Sequence, residues 1–210
     1  MKTIDKEYIK SEVRKKLDEI NENELDEGFD VTEDENVDIL IESCIAEAYR
    51  LVMLAAPVAM LEGVPASTQE LNINKELVGT VTLPEDFLRL VNIRLNSWAS
   101  SCSEFITEDE PSYRMQSNKW VCGNPQHPVV AVVETNDGKK LELYKANSTS
   151  DSLRVLTYIP DLSGDEESIN VPTQLVGAFI YFTAALVSTT YREDVANDFF
   201  KLGRGLMGLE

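Results

Sequence analysis

The spacing of apolar residues changes twice along the chain. Ile4, Tyr8, Val13, Leu17 and Ile20 recur every three to five positions, which predicts an amphipathic helix over 4–20 with Thr3 and Asp5 as start signals. The stretch 21–33 is polar, acid-rich and holds Gly28, so it reads as a loop or linker. A wider stripe (Val37, Leu40, Ile41, Cys44, Ile45, Ala48, Leu51, Val52, Ala55) predicts a second helix over 34–56, which Pro57 kinks or ends. The period then falls to two. Thr80–Leu83 reads as a short strand, Pro84–Phe87 as a turn and Leu88–Leu95 as a longer strand. Ser97–Ser103 is small and polar, hence a loop. Val129–Glu134 and Lys140–Tyr144 flank Asn136-Asp137-Gly138 and predict a hairpin, and Leu153–Tyr158 is a further strand stopped by Pro160. Helical spacing returns over 172–189, opened by Pro172, and again over 193–206, where Gly203, Gly205 and Gly208 mark the end.

This order predicts an α+β fold: a helical bundle built from N- and C-terminal helices, with a β-rich insertion. The predicted segments are 1–79 (helices and acidic linker), 80–160 (insertion) and 161–210 (helices completing the bundle). The run Leu175–Val187 is apolar on most sides, as befits a helix at the centre of a core or an interface. Leu175, Phe179, Tyr181, Phe182, Phe199 and Phe200 are therefore the candidate bundle or oligomer contacts.

Charge narrows the function. The net charge is -18 over 210 residues, a surface that repels free DNA and anionic membranes. Residues 1–40 hold six Lys or Arg against fourteen Asp or Glu. With 43% hydrophobic residues the chain has enough apolar surface for a real core. Cys44, Cys102 and Cys122 are odd in number and scattered, which makes neither a disulfide framework nor a CxxC metal pair and suits a reducing compartment such as a bacterial cytoplasm. The N-terminus has no apolar signal core, and Leu175–Val187 falls short of the roughly 20 residues a bilayer span needs, so a soluble protein is expected.

Recognisable chemistry is sparse. His127, the sole histidine, lies in a proline-bracketed loop with no Cys or carboxylate at ligand spacing, which suits a structural role. The chain has no nucleophile elbow, phosphate-binding glycine loop or HExxH helix. Acidic clusters occur at Glu33-Asp34-Glu35, Glu108-Asp109-Glu110 and Asp165-Glu166-Glu167, none with the alternation of an EF-hand loop. They read as solvated loop charge, or as the lining of a lumen past which DNA slides without sticking. Trp98, Trp120, Tyr113 and Tyr144 could suggest base stacking, a mode that needs accompanying Lys and Arg to hold phosphates; the charge balance of the chain is against it, so they read as core or interface residues. No catalytic residue, metal or cofactor is expected.

The stretch from Val81 to Trp98 resembles phage head-tail connector proteins, in which a strand, a Leu-Pro-x-Asp-Phe turn and a second strand recur. Tyr113–Lys119 ahead of Gly123-Asn124-Pro125, then Leu141–Ala146, and Val171–Leu175 opening a late helix, strengthen the likeness. The order is similar to adaptor or tail tubular proteins of short-tailed phages, including those infecting Bacteroidetes, over roughly residues 35–205. The resemblance implies a virion protein, assembled in the host bacterial cytoplasm into a ring, usually twelve-fold. That ring stacks below the portal protein, with tail or further ring proteins beneath and DNA passing through. It brings no catalytic residues. Some adaptors carry a long C-terminal arm, whereas this chain stops at Glu210. A closed ring needs two different faces per subunit. The helical bundle and the β insertion with its hairpin are the expected pair. Two other readings compete: an acidic binding module (an assembly chaperone or a DNA-mimic inhibitor), and a small hydrolase using carboxylates and a metal.

Overall fold

The computed structural model describes residues 1–21, 35–66, 69–118, 120–135, 138–164, 166–190 and 192–209. In chain order the elements are β1 (Lys2–Asp5), α1 (Lys6–Asn21), α2 (Glu35–Ala55), β2 (Val64–Pro65), β3 (Leu71–Ile73), β4 (Val78–Thr82), β5 (Phe87–Leu95) and β6 (Ile106–Thr107). There follow α3 (Pro111–Met115), β7 (Val129–Thr135), β8 (Gly138–Tyr144), β9 (Leu153–Pro160), β10 (Ser168–Val171), α4 (Val176–Thr189) and α5 (Glu193–Leu206). The fold class is α+β, with helices towards both ends and a strand-rich middle. The chain divides into two compact units, one of Met1–Glu62 with Asp161–Glu210, the other of Gly63–Pro160.

In the first unit α4 touches α1, α2 and α5. Its sequence explains this: Ala178, Phe179, Ile180, Phe182, Ala184, Ala185 and Val187 leave no wide polar face, and all are buried. Phe179 meets Tyr49 of α2 edge-on, with ring centroids 6.3 Å apart, and Phe182 meets Phe200 of α5 at 5.3 Å. Such pairs add to the area term of aromatic burial. Ion pairs tie α1 to α2, Lys10 to Glu42 at 2.5 Å and Arg14 to Asp38 at 2.9 Å.

The first helix starts later than its pattern suggests. Residues 2–5 are a strand, antiparallel to β10 with Ile4 opposite Ile169. Asp5 is the cap, its Oδ1 accepting from the Tyr8 N–H at 2.6 Å. Because Ile4 belongs to the strand, the helical stripe is re-phased onto Ile9 and Val13, both fully buried, and Tyr8 is exposed. In α2 the stripe runs on through Tyr49 and Met53, which the pattern missed. At the C-terminus Gly203 and Gly205 lie inside α5 rather than beyond it. The stop is Gly208, in the left-handed region at φ 71°: its N–H reaches the Gly205 carbonyl and the Leu209 N–H reaches that of Arg204. These paired bonds satisfy carbonyls that a helix end otherwise leaves bare.

The second unit is a two-sheet sandwich. One sheet has the order β2-β9-β5, the other β3-β4-β8-β7-β6, antiparallel except for the β6–β7 pair. Period-two alternation builds the core between them: Val81, Leu90, Ile93, Val130, Leu141, Leu143 and Leu156 come from both sheets and pack around Trp98. The opposite set on β7 and β8, Ala131, Val133 and Tyr144, faces outward and is covered by Tyr113 of α3. The predicted turn at Pro84–Phe87 is present, closed by Phe87 N–H to the Pro84 carbonyl at 3.1 Å. The β7–β8 hairpin closes in the register Thr135 to Gly138, and Asn136 and Asp137 lie outside the described residues. Strands β2 and β3 precede residue 80, where the alternation becomes legible.

Candidate functional site

Of the six candidate apolar contacts, Leu175, Phe179, Phe182 and Phe199 are buried in the bundle of the first unit, and Tyr181 and Phe200 are half-buried beside them. Tyr181 stacks obliquely on Phe199 at 6.0 Å. Their role inside one chain is therefore to join α4 to its neighbours. Among the described residues, the large apolar side chains left exposed on this unit are Met1, Tyr8 of α1, Ile39 and Leu54 of α2, and Leu202 and Leu206 of α5.

The acidic clusters lie in different units. Glu166 and Glu167 belong to the first, and Asp165, Asp34 and Glu33 fall outside the described residues. Glu166 has the most altered acidity. Burial acts to raise its pKa, but the Ser163 hydroxyl and the Ser163 and Gly164 N–H groups, all within 2.9 Å, hold its carboxyl down at about 2. Glu108, Asp109 and Glu110 belong to the second unit, between β6 and α3. Glu110 accepts the Thr107 N–H at 3.0 Å and the Ser112 hydroxyl at 3.2 Å, and these bonds, the backbone one first, lower its pKa. Glu108 accepts the Glu134 N–H of β7 at 3.3 Å, taking the place of a strand partner.

Among the clefts of the second unit, two gather carboxylates and cations together. One, of about 540 Å³, has Phe87, Phe105 and Val132 on its floor and Glu108, Asp109 and Glu134 around it, with Lys139 as its single cation. The other, of about 850 Å³, is formed by the β3–β4 turn, α3 and the end of β8. Within it Glu142 accepts two phenols, Tyr144 Oη at 2.5 Å and Tyr113 Oη at 3.3 Å. Burial and the Glu142 carboxylate push both tyrosines up from their ordinary acidity. Leu77 and Lys145 line the same cleft and are the non-glycine residues at positive φ among those described, 63° and 62°. Each left-handed backbone aims a carbonyl at a donor: Leu77 O accepts Ala146 N–H at 2.9 Å, and Lys145 O accepts Trp98 Nε1–H at 3.2 Å. The cleft holds Lys75, Arg114 and Lys145, and among the described residues none of these three makes an ion pair.

The aromatic residues divide. Trp98 is core, Tyr144 is buried and Tyr113 is half-buried. Trp120 is 84% exposed and stands beside exposed Val121. The three cysteines are free thiols, and burial raises the pKa of Cys44 and Cys102. His127 is exposed, its backbone closing a tight loop with Asn124. Among the described residues no three His, Cys, Asp or Glu side chains are grouped as metal ligands, and no helix is long and apolar enough to cross a membrane. The clefts were not legible in sequence, because their residues come from segments up to seventy positions apart. The one local signal was non-glycine residues at turns. No protein-family model matches the chain, and comparison with curated proteins gives no match.

Proposed function

We propose that the chain is a non-enzymatic structural subunit of a ring at the head-to-tail junction of a tailed bacteriophage, seated below the portal. In this reading the ring provides a DNA channel and a platform for tail attachment. The observation that carries it is the Leu83–Phe87 turn and the two strands around it, the segment on which the resemblance rests. Its residues are there for a physical reason. Pro84 starts the turn, Asp86 accepts the Tyr158 phenol at 3.1 Å, and Phe87 stacks on the Tyr158 ring at 6.0 Å, so the motif anchors β5 to β9. A chain of net charge -18 would present DNA with a repelling wall, which keeps it mobile in a channel.

The test is cryo-electron microscopy of the chain co-expressed with the portal protein of its own genome. The expected result is a closed ring of this chain stacked coaxially on the portal, with density for the β sandwich in every subunit. A chain that never joins the portal, or a channel lined mainly by Lys and Arg, would refute the reading. Stoichiometric capture of a DNA-binding protein in place of portal would favour the acidic binding module instead.

A further inference from the structure

The second unit is electrically two-ended. The β7–β8 hairpin runs from Val129 and Tyr144 at one end to Thr135 and Gly138 at the other. Lys145 follows the first end directly, and the cleft there gathers Lys75 and Arg114 with it, against the carboxylates of Glu76 and Glu142. Glu142 accepts both phenols on its Oε2 and keeps its charge. At the other end lie Glu134 and Lys139, with Glu108 and Asp109 beside them. Lys139 stands 3.8 Å from Glu134 in a loose, largely exposed pair that leaves the carboxylate accessible. The two ends are separated by the length of β8, about 20 Å at the usual rise of a strand. One end of the second unit thus gathers three cations, none in an ion pair among the described residues, against two carboxylates, and the other gathers three carboxylates against Lys139 and Lys140, in a chain whose total charge is -18.

Two copies of so acidic a chain repel at long range, and random juxtaposition is unfavourable. The exception is a head-to-tail approach, in which the cationic cleft of one copy receives the acidic end of the next. That pairing uses two different faces of each copy, as any contact that closes a ring must. We infer that the cleft holding Lys75, Arg114 and Lys145 is the docking site for a second copy of this chain, which enters with Asp109 and Glu134 foremost. The inference deepens the ring reading and rests on it for the closure of the assembly, but not for the contact itself. Each copy leaves one cationic and one acidic end free for further neighbours, so the contact propagates instead of stopping at a symmetric dimer.

The experiment has two parts. First, isotope-labelled and unlabelled chains are mixed and treated with a carbodiimide, which joins amines to carboxylates already in contact. Mass spectrometry is expected to find cross-links from Lys75 and Lys145 of one copy to Asp109 or Glu134 of another. Second, sedimentation velocity compares the natural chain with two variants, Lys75→Glu/Arg114→Glu/Lys145→Glu and Asp109→Lys/Glu134→Lys. Each variant alone is expected to associate at least about tenfold more weakly, as the natural chain does when salt rises from about 0.05 to 0.5 M. An equimolar mixture of the two variants, whose ends are again complementary, is expected to recover association. Recovery also excludes misfolding as the cause of the loss. Absence of these cross-links, or variants that associate like the natural chain, overturns the inference. Rings that still form from the variants overturn it and leave the ring reading intact. Cross-linked chains that never close into a ring, with portal or without, support the contact and refute the ring.

Discussion

Two glycines in the last helix offer a sharp test of how α4 and α5 pack. Replacing a helical glycine by alanine ordinarily stabilises a helix by about 0.5–1 kcal/mol, because glycine loses more backbone freedom on folding. At Gly205 a Cβ would meet nothing within 4 Å, so Gly205→Ala should realise most of that gain. At Gly203 the same Cβ would stand 2.6 Å from Phe182 Cδ2 and 2.7 Å from Cε2. Carbon atoms prefer about 3.5–4.0 Å, so the overlap approaches 1 Å. The Phe182 ring has little room to retreat, being buried and held edge-on against Phe200 at 5.3 Å. Overpacking of this kind costs about 1–3 kcal/mol. Against the helix gain, Gly203→Ala should lose about 0.5–2 kcal/mol net. Thermal unfolding followed by circular dichroism at 222 nm reports mainly the helical unit. There each kcal/mol should shift the midpoint by about 4–8 °C for a unit of roughly 100 residues. The two alanines, two positions apart, should move the midpoint in opposite directions. Equal shifts of the same sign would show that Phe182 does not lie over Gly203, and the α4–α5 packing would be wrong.

In the sandwich, Tyr158→Phe removes the phenol that Asp86 accepts at 3.1 Å. Bonds to charged groups are worth about 1.5–3 kcal/mol, less here because Asp86 is exposed, so a loss of about 1 kcal/mol is expected in urea unfolding read by the buried Trp98. An unchanged urea midpoint would mean that the turn is not anchored through Asp86. Glu166 should titrate near 2 rather than at the ordinary 4.5. A depressed carboxyl contributes stability above about pH 4.5 that is lost as pH falls through 2. Because the group is largely solvent-screened, Glu166→Gln should cost less than about 1 kcal/mol at pH 7 and nothing near pH 2. A carbon-detected NMR titration with its midpoint near 4.5 would contradict the hydrogen bonds assigned to Ser163 and Gly164.

The sequence by itself determined the elements long enough to display a period. Four helices and the strands β4, β5, β7, β8 and β9 could be read because an apolar face repeats several times within each. That also decided the α+β class and the central place of α4, whose residues offer no polar face to water. Only the tertiary structure decided the strands of two to four residues. The segment 2–5 is extended because β10, more than 160 positions away, supplies its hydrogen-bond partners, and Ile4 is counted to a strand for that reason. Nor could periodicity tell that the apolar excess of α4 is spent within one chain, since a core and an interface ask for the same residues. The distribution of charge was hidden most completely. A sum of -18 says nothing of sign at any point on the surface. Lys75, Arg114 and Lys145 are isolated residues in three separate segments. They form one cationic cleft because strand pairing brings the β3–β4 turn to the end of β8, and α3 crosses the same sheet face.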